Sequence, residues 1–379
     1  MTKSVNKPVA KTQENPNAFK HLISADLVER MADAISLVAK DFPTKKFKNL
    51  VKELPPLELK ARVQLISQRL HQHLPPDFPQ AVDVLLNSLE KKTLKGFDLW
   101  PYTHFVQTQG IDHLKKSLDA LRTMTQLFTS EFAVRPFLKT NTQKSLQYLI
   151  KCAKDENIHV RRWSSEGSRS RLPWGERLDL FIKQPQLTLP ILELLKYDDE
   201  LYVRKSVANH LNDIAKDNPH VVLKCLARWN QNCPSPHRDK ISWITRQALR
   251  TLIKKGDPAA LKLIGVSTKA QIKVRGFKLA KKSIKIGDHL CFDISVQSQS
   301  KKTQKLIIDY VIHHQKSGGK TTPKVFKLKT FNLQPGQALS ITKKHSLKPV
   351  TTRKYYLGKH RVEIQINGKI YASEDWILF

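Results

Sequence analysis

Two carboxylates stand out by the company they keep. Glu166 lies six residues after Val160, the first residue of Val160-Arg161-Arg162, and Asp213 lies ten after Val203, the first of Val203-Arg204-Lys205. On a helix Asp213 shares a face with Asn209, one turn earlier. The cations expected on the same surface are Arg161, Arg162, Arg169, Arg171, Arg204, Lys205, Arg246, Arg250 and Lys254. Such a surface binds phosphates, because each phosphate it neutralises releases condensed counterions. A carboxylate there repels a polyanion, so its presence needs a reason. Either it pairs with and orients a neighbouring arginine, or it faces a cationic group in a reaction. Spacing alone leaves both readings open.

The segment from Arg161 to Trp174, RRWSSEGSRSRLPW, ends a helix at Gly167 and continues through an arginine- and serine-rich loop. Arginine and serine side chains, Ser165 among them, can hold phosphate oxygens, and so can the amide of Asn209. Trp174, just after a proline, can stack on a base or sugar, or pack in a core; Trp163 reads as core and Trp243 as a buried residue beginning a helix. The run Trp100–Val106 reads as an aromatic cap. Glu131, near a helix start, is ordinary helix-dipole chemistry on its own. Other chemistries lack their motifs: there is no P-loop, no GxGxxG, no HExxH, no GxSxG and no CxxC pair. No metal or cofactor is expected.

These residues need elements to carry them. The 379 residues suit two or three domains, and 66 Lys and Arg against 33 Asp and Glu give a formal net charge of +33. The usual partner of such a field is nucleic acid or an anionic membrane. No apolar run approaches the roughly 20 residues that span a bilayer, and the N-terminus lacks the apolar stretch of a signal peptide. Cys152, Cys225, Cys233 and Cys291 are scattered, which suits reduced thiols in the cytoplasm.

Residues 1–19 read as a flexible basic tail and 20–267 as helices. Val160, Val203 and Ile244 begin similar triplets about 41 to 43 residues apart. Each triplet is expected to start a helix. That period is the mark of HEAT-like repeats stacked in a solenoid. Near Ser267 the pattern turns to alternation. Residues 268–379 suggest six or seven strands in an immunoglobulin-like β-sandwich, with Asn367-Gly368 as a hairpin turn. This domain carries 23 Lys and Arg against six acidic residues, more charge than a structural cap needs. It is expected to contact nucleic acid.

Four stretches carry a resemblance: WPYTHFVQTQGIDHLKKSLDALRTMTQLFTSEFAVRPFL, HVRRWSSEGSRSRLPW, LYVRKSVANHLNDIAKDNP and SWITRQALRTLIKKGDPAALKLIG. They resemble the AlkC branch of the HEAT-like-repeat DNA glycosylases, over roughly residues 20–265, and that branch often adds an immunoglobulin-like domain. The resemblance implies a monofunctional DNA glycosylase that excises N3-alkylated bases, 3-methyladenine and 3-methylcytosine, from double-stranded DNA. It implies bending of the duplex in place of base flipping. It also implies that Glu131, Glu166 and Asp213 stabilise a sugar oxocarbenium ion and position water, with Trp174 against the lesion nucleotide. The related AlkD branch has a tryptophan where this chain has Asn209, so its stacking details do not carry over. A monomer in the cytoplasm, at the nucleoid, is expected. The main alternative is a non-catalytic HEAT-repeat scaffold that recognises DNA structure. A second is action on bulky adducts.

Overall fold

The computed structural model describes residues 18–90, 92–350 and 353–379. Most of the expected basic tail lies outside the described residues; its last residue, Phe19, opens a 3₁₀ turn, Phe19–Leu22. The chain forms two compact units, one ending at Ser206 and the other running Val207–Phe379.

The first unit is helical. It holds α1 (Ala25–Ser36), α2 (Thr44–Lys48), α3 (Leu59–His73), α4 (Phe78–Leu89), α5 (Trp100–Gln109), α6 (Leu114–Met124), α7 (Arg135–Thr140) and α8 (Thr142–Cys152). Then come α9 (Ile158–Gly167), α10 (Asp179–Lys183), α11 (Leu189–Leu195) and the start of α12 (Leu201–Asp217). Side-chain caps fix several starts: Ser24, Asp77 and Asn157 each accept an amide hydrogen from the first turn of α1, α4 and α9, satisfying donors that a helix end leaves bare. Prolines fall where a missing N–H costs nothing, as at the N-termini of α4, α5 and α7. Neighbouring helices pack in sequence, α8 on α9 and α9 on α11.

The second unit begins inside α12 and continues with α13 (Pro219–Gln231), α14 (Arg238–Ala248), α15 (Arg250–Lys254) and α16 (Pro258–Leu263). Eight strands follow: β1 (Ile272–Leu279), β2 (Ser283–Ile284), β3 (His289–Ser298), β4 (Gln304–Gln315), β5 (Thr321–Leu333), β6 (Ala338–Ser346), β7 (Gly358–Ile366) and β8 (Lys369–Leu378). They form a three-stranded sheet, β1-β3-β6, and a five-stranded sheet, β2-β8-β7-β4-β5. One apolar core joins both sheets, with Phe292 and Ile294 from the first and Tyr310, Val362, Ile364 and Trp376 from the second. This is the sandwich expected from the alternation. Two strands escaped the sequence reading: β2 has only two residues, and the apolar alternation of β6 stops after Leu339 and Ile341, giving way to Lys343-Lys344.

The repeat register holds in the core, where Val160, Val203 and Ile244 are all fully buried, each contributing roughly 1.5–3 kcal/mol. The expectation that each triplet starts a helix fails at the third. Ile244 is the seventh residue of α14, and that helix ends at Ala248. Arg250, six residues on from Ile244, therefore begins a new helix rather than continuing the old one. Trp243 is likewise half-buried in mid-helix, not buried at its start.

The end of the helical segment is fastened to the sandwich within this second unit. Leu261 and Val266 pack against Ile307 of β4. Gln365 Nε2 donates to the Lys254 carbonyl at 2.9 Å, and Asn367 Nδ2 to the Ser267 carbonyl at 2.7 Å. Gly368 turns between β7 and β8 at φ +80° with its backbone against Gly256, at φ +75°. A Cβ added to Gly368 would lie 2.2 Å from the Gly256 Cα. The hairpin glycine thus serves the turn and a backbone contact together.

Candidate active site and nucleic-acid interface

In the first unit a buried ion-pair network gathers around the C-terminal half of α9. Glu166 is 6% exposed. Its Oε1 accepts from Arg169 Nη1 at 2.5 Å, with Arg162 Nη2 at 3.5 Å. Its Oε2 accepts from the Ser206 hydroxyl at 2.6 Å, whose single proton has the Ser165 oxygen at 3.0 Å as an alternative acceptor. A carboxylate offers about four lone-pair positions, so this set leaves room for a further donor.

Glu131, also buried, joins the same network. Its Oε2 accepts from Thr129 Oγ1 at 2.6 Å and from Arg162 Nη1 at 2.5 Å. Arg162 thus bridges two carboxylates, and its guanidinium lies over the Tyr202 ring at 5.3 Å. Burial pushes the Arg162 pKa down, but Glu166 and Glu131 outweigh it and hold the group above its ordinary value. Two arginines and two carboxylates balance here, which is how charge is kept out of water at tolerable cost.

Trp174 lies in the loop between α9 and α10. It is 57% exposed, with φ at +65°, a conformation that costs a bulky residue on the order of 1–3 kcal/mol. It borders a cavity of about 260 Å³ lined also by Trp100, His104 and Phe132. The aromatic cap expected at Trp100 is there: Trp100 stacks on Phe132 at 5.6 Å. Trp163 is fully buried, as its core reading required.

The expected phosphate binders divide by what already holds them. Arg161 makes two bonds to Asp198, at 2.6 and 3.2 Å, and Arg204 donates to the Asp198 and Asp199 carbonyls. Both tie the α11–α12 corner. Arg162 and Arg169 belong to the carboxylate network, and Ser165 is fully buried beside it. Arg171 is half-buried in the loop, while Lys205 stands exposed.

In the second unit Asp213 is 1% exposed and accepts from Lys216 at 2.8 Å. Asn209 Oδ1 accepts from Arg250 at 3.1 Å. Arg246 and Lys254 are exposed. They border a cleft with Arg250, Lys305, Lys327 and the buried Asp309. Burial raises the Asp309 carboxyl to about 6 against the pull of Lys254 and Lys327, and burial, with Arg246, lowers Lys305.

Ser206, Tyr202 and Arg135 were missed in the sequence. Ser206 carried a signal, since it lies 41 residues after Ser165, the same interval that separates Val203 from Ile244. Arg135 and Tyr202 carried none. Among the described residues no group of His, Cys, Asp and Glu is arranged to hold a metal, and no helix is long and apolar enough to cross a membrane.

Fold and site together define a class: a HEAT-like helical-repeat protein with a C-terminal immunoglobulin-like sandwich and acidic residues buried among arginines. Residues 273–379 match the family model described as "Uncharacterised protein YhaZ, C-terminal Ig-like domain". The chain is 36% identical over 360 residues to the uncharacterised protein YhaZ of Bacillus subtilis (strain 168), spanning 94% of this chain and 98% of that protein. Among solved structures it is similar to the Pseudomonas fluorescens alkylpurine DNA glycosylase AlkC bound to DNA containing an abasic-site analogue. That likeness has a TM-score of 0.89 at 37% identity and covers 96% of this chain and 99% of the other. The chain belongs to the AlkC family of alkylpurine DNA glycosylases.

Proposed function

We propose that this protein is a monofunctional DNA glycosylase that hydrolyses the N-glycosidic bond of N3-alkylated bases, 3-methyladenine and 3-methylcytosine, in duplex DNA without flipping them. The observation that carries the reading is the full-length likeness to a glycosylase caught on DNA with an abasic-site analogue. The chemistry of the site supports it. An N3-alkylated base is cationic and leaves readily, and as the C1′–N bond breaks, positive charge passes to the deoxyribose. Preorganised carboxylates stabilise such charge at little reorganisation cost, as they do for glycosidases. Glu166 and Asp213 are assigned to charge stabilisation and water positioning, with Glu131 assisting. Trp174, exposed and held in an unusual backbone conformation, is assigned to the lesion nucleotide.

DNA affinity is assigned first to cations whose charge faces solvent. Lys205, Arg246 and Lys254 are exposed, and the 23 Lys and Arg of residues 268–379 extend the phosphate contacts into the sandwich. Arg161, Arg162, Arg169, Arg171, Arg204, Arg250, Ser165 and Asn209 are assigned to shaping that surface. The protein acts at the nucleoid.

The test is base release from methylated duplex DNA, comparing the native protein with Asp213→Asn and following binding in parallel. Free 3-methyladenine and 3-methylcytosine, lost in the variant while binding persists, is the expected result. Tight, salt-dependent binding without release of any base would instead favour a non-catalytic scaffold.

A further inference from the structure

We propose that Arg135 and Lys60 are positioning residues that hold Trp174 in its left-handed backbone conformation and so fix the ring for the reaction. The inference rests on the glycosylase reading above. Trp174 has φ at +65°, where a side chain with a Cβ is disfavoured, so its surroundings must impose the conformation. Two cations from distant parts of the sequence grip the loop that carries it.

Arg135, at the start of α7, is 1% exposed. Its Nη1 donates to the Gly167 carbonyl at 3.1 Å and to the Arg169 carbonyl at 2.9 Å. Its Nε donates to the Glu176 carbonyl at 2.8 Å, and Nη2 donates to the same oxygen. One guanidinium therefore ties the chain on both sides of Trp174. It also packs under the next residue: a Cβ on Gly175 would meet Arg135 Nε at 3.3 Å. Lys60 acts on Trp174 directly. Its ammonium, on an exposed side chain of α3, donates to the Trp174 carbonyl at 2.9 Å across 114 residues of sequence. The loop closes with the Leu178 amide donating to the Ser170 carbonyl at 3.1 Å. A guanidinium in a fixed fork suits this task, since it reaches three carbonyls at once, whereas a lysine would offer a point charge on a flexible stem.

The experiment compares the native protein with Lys60→Met and Arg135→Lys, each also made in a Trp174→Ala background. Two readouts are single-turnover base release from methylated duplex and affinity for duplex holding an abasic-site analogue. A third is acrylamide quenching of Trp174 fluorescence, taken as the difference from the matching Trp174→Phe protein. Each single substitution should slow release by about tenfold or more, leave affinity within about threefold, and change the quenching. In the Trp174→Ala background the same substitutions should cost less than about twofold, because residues that act through one group are not additive. Equal losses in both backgrounds would overturn the proposal. Unchanged quenching in Lys60→Met, which removes only an exposed side chain, would overturn it whether or not the protein releases bases. Absent release from the native protein, with altered quenching, would instead refute the glycosylase reading and leave the positioning role standing.

Discussion

Glu166→Gln separates a catalytic carboxylate from one that merely orients arginines. The amide keeps the shape of the side chain, and the pocket can accept it. Oε1 still accepts from Arg169, while the new amide donates to Ser206, whose hydroxyl already has Ser165 as an alternative acceptor at 3.0 Å. What is lost is the negative charge. At about 4 Å from a developing positive charge a carboxylate contributes roughly 4 kcal/mol at an effective dielectric of about 20, roughly a thousandfold in rate. Arg162 and Arg169 oppose part of that field, so a loss of about 10²-fold in single-turnover release is expected. Folding should lose about 1–3 kcal/mol, because the arginines trade a charged acceptor for a neutral one. Release of 3-methyladenine under single-turnover conditions, beside thermal unfolding, reads both. A rate within threefold of native, with the same unfolding loss, would rule out charge stabilisation by Glu166 and leave it as an anchor for Arg162 and Arg169.

Arg246→Gln removes an exposed cation from the cleft shared with Lys305 and Lys327. DNA affinity should fall similarly for all sequences, and the slope of log K against log salt should shrink by about 0.9 per lost phosphate contact; an unchanged slope contradicts the assignment. Burial, then Arg353, pushes His314 to about 3, and burial, then Arg353, pushes His345 to about 4. The unfolded chain therefore binds more protons than the folded one below about 6.5, and stability falls as pH drops from about 6.5 towards 4. Thermal unfolding followed against pH should show that slope, and His314→Phe should flatten it. Gly368→Ala forces a Cβ to 2.2 Å from the Gly256 Cα at a positive φ; a loss of about 2–4 kcal/mol is expected, measured by denaturant unfolding.

The sequence carried the fold wherever a local pattern had a local cause. Asn367 and Gly368 adopt the positive φ values, +46° and +80°, that make this pair a tight hairpin turn. Asn218-Pro219 and Asp257-Pro258 begin α13 and α16, each with proline in the first turn, and Asp257 also caps α16 by accepting from the Ala260 amide. The repeat was legible because its first residue is buried each time. The break after Ala248 was not, since nothing in the periodicity distinguishes a helix that continues from one that restarts at Arg250.

Within the site, residue types were legible and their partners were not. Glu166 drew notice by its basic neighbours, but the Ser206 hydroxyl that fills its second oxygen comes from the following repeat, 40 residues on. Arg162 looked like a phosphate binder and is half-buried, held between two carboxylates. Arg135 could not be found by pattern, because its bonds run to backbone carbonyls, which every residue carries.

The most direct test uses a duplex oligonucleotide with one 3-methylcytosine, incubated with the native protein and analysed by mass spectrometry. Free 3-methylcytosine and an otherwise intact strand bearing an abasic site are expected. An unchanged mass for the strand, with the protein bound tightly to it, would show a protein that binds the lesion without excising it.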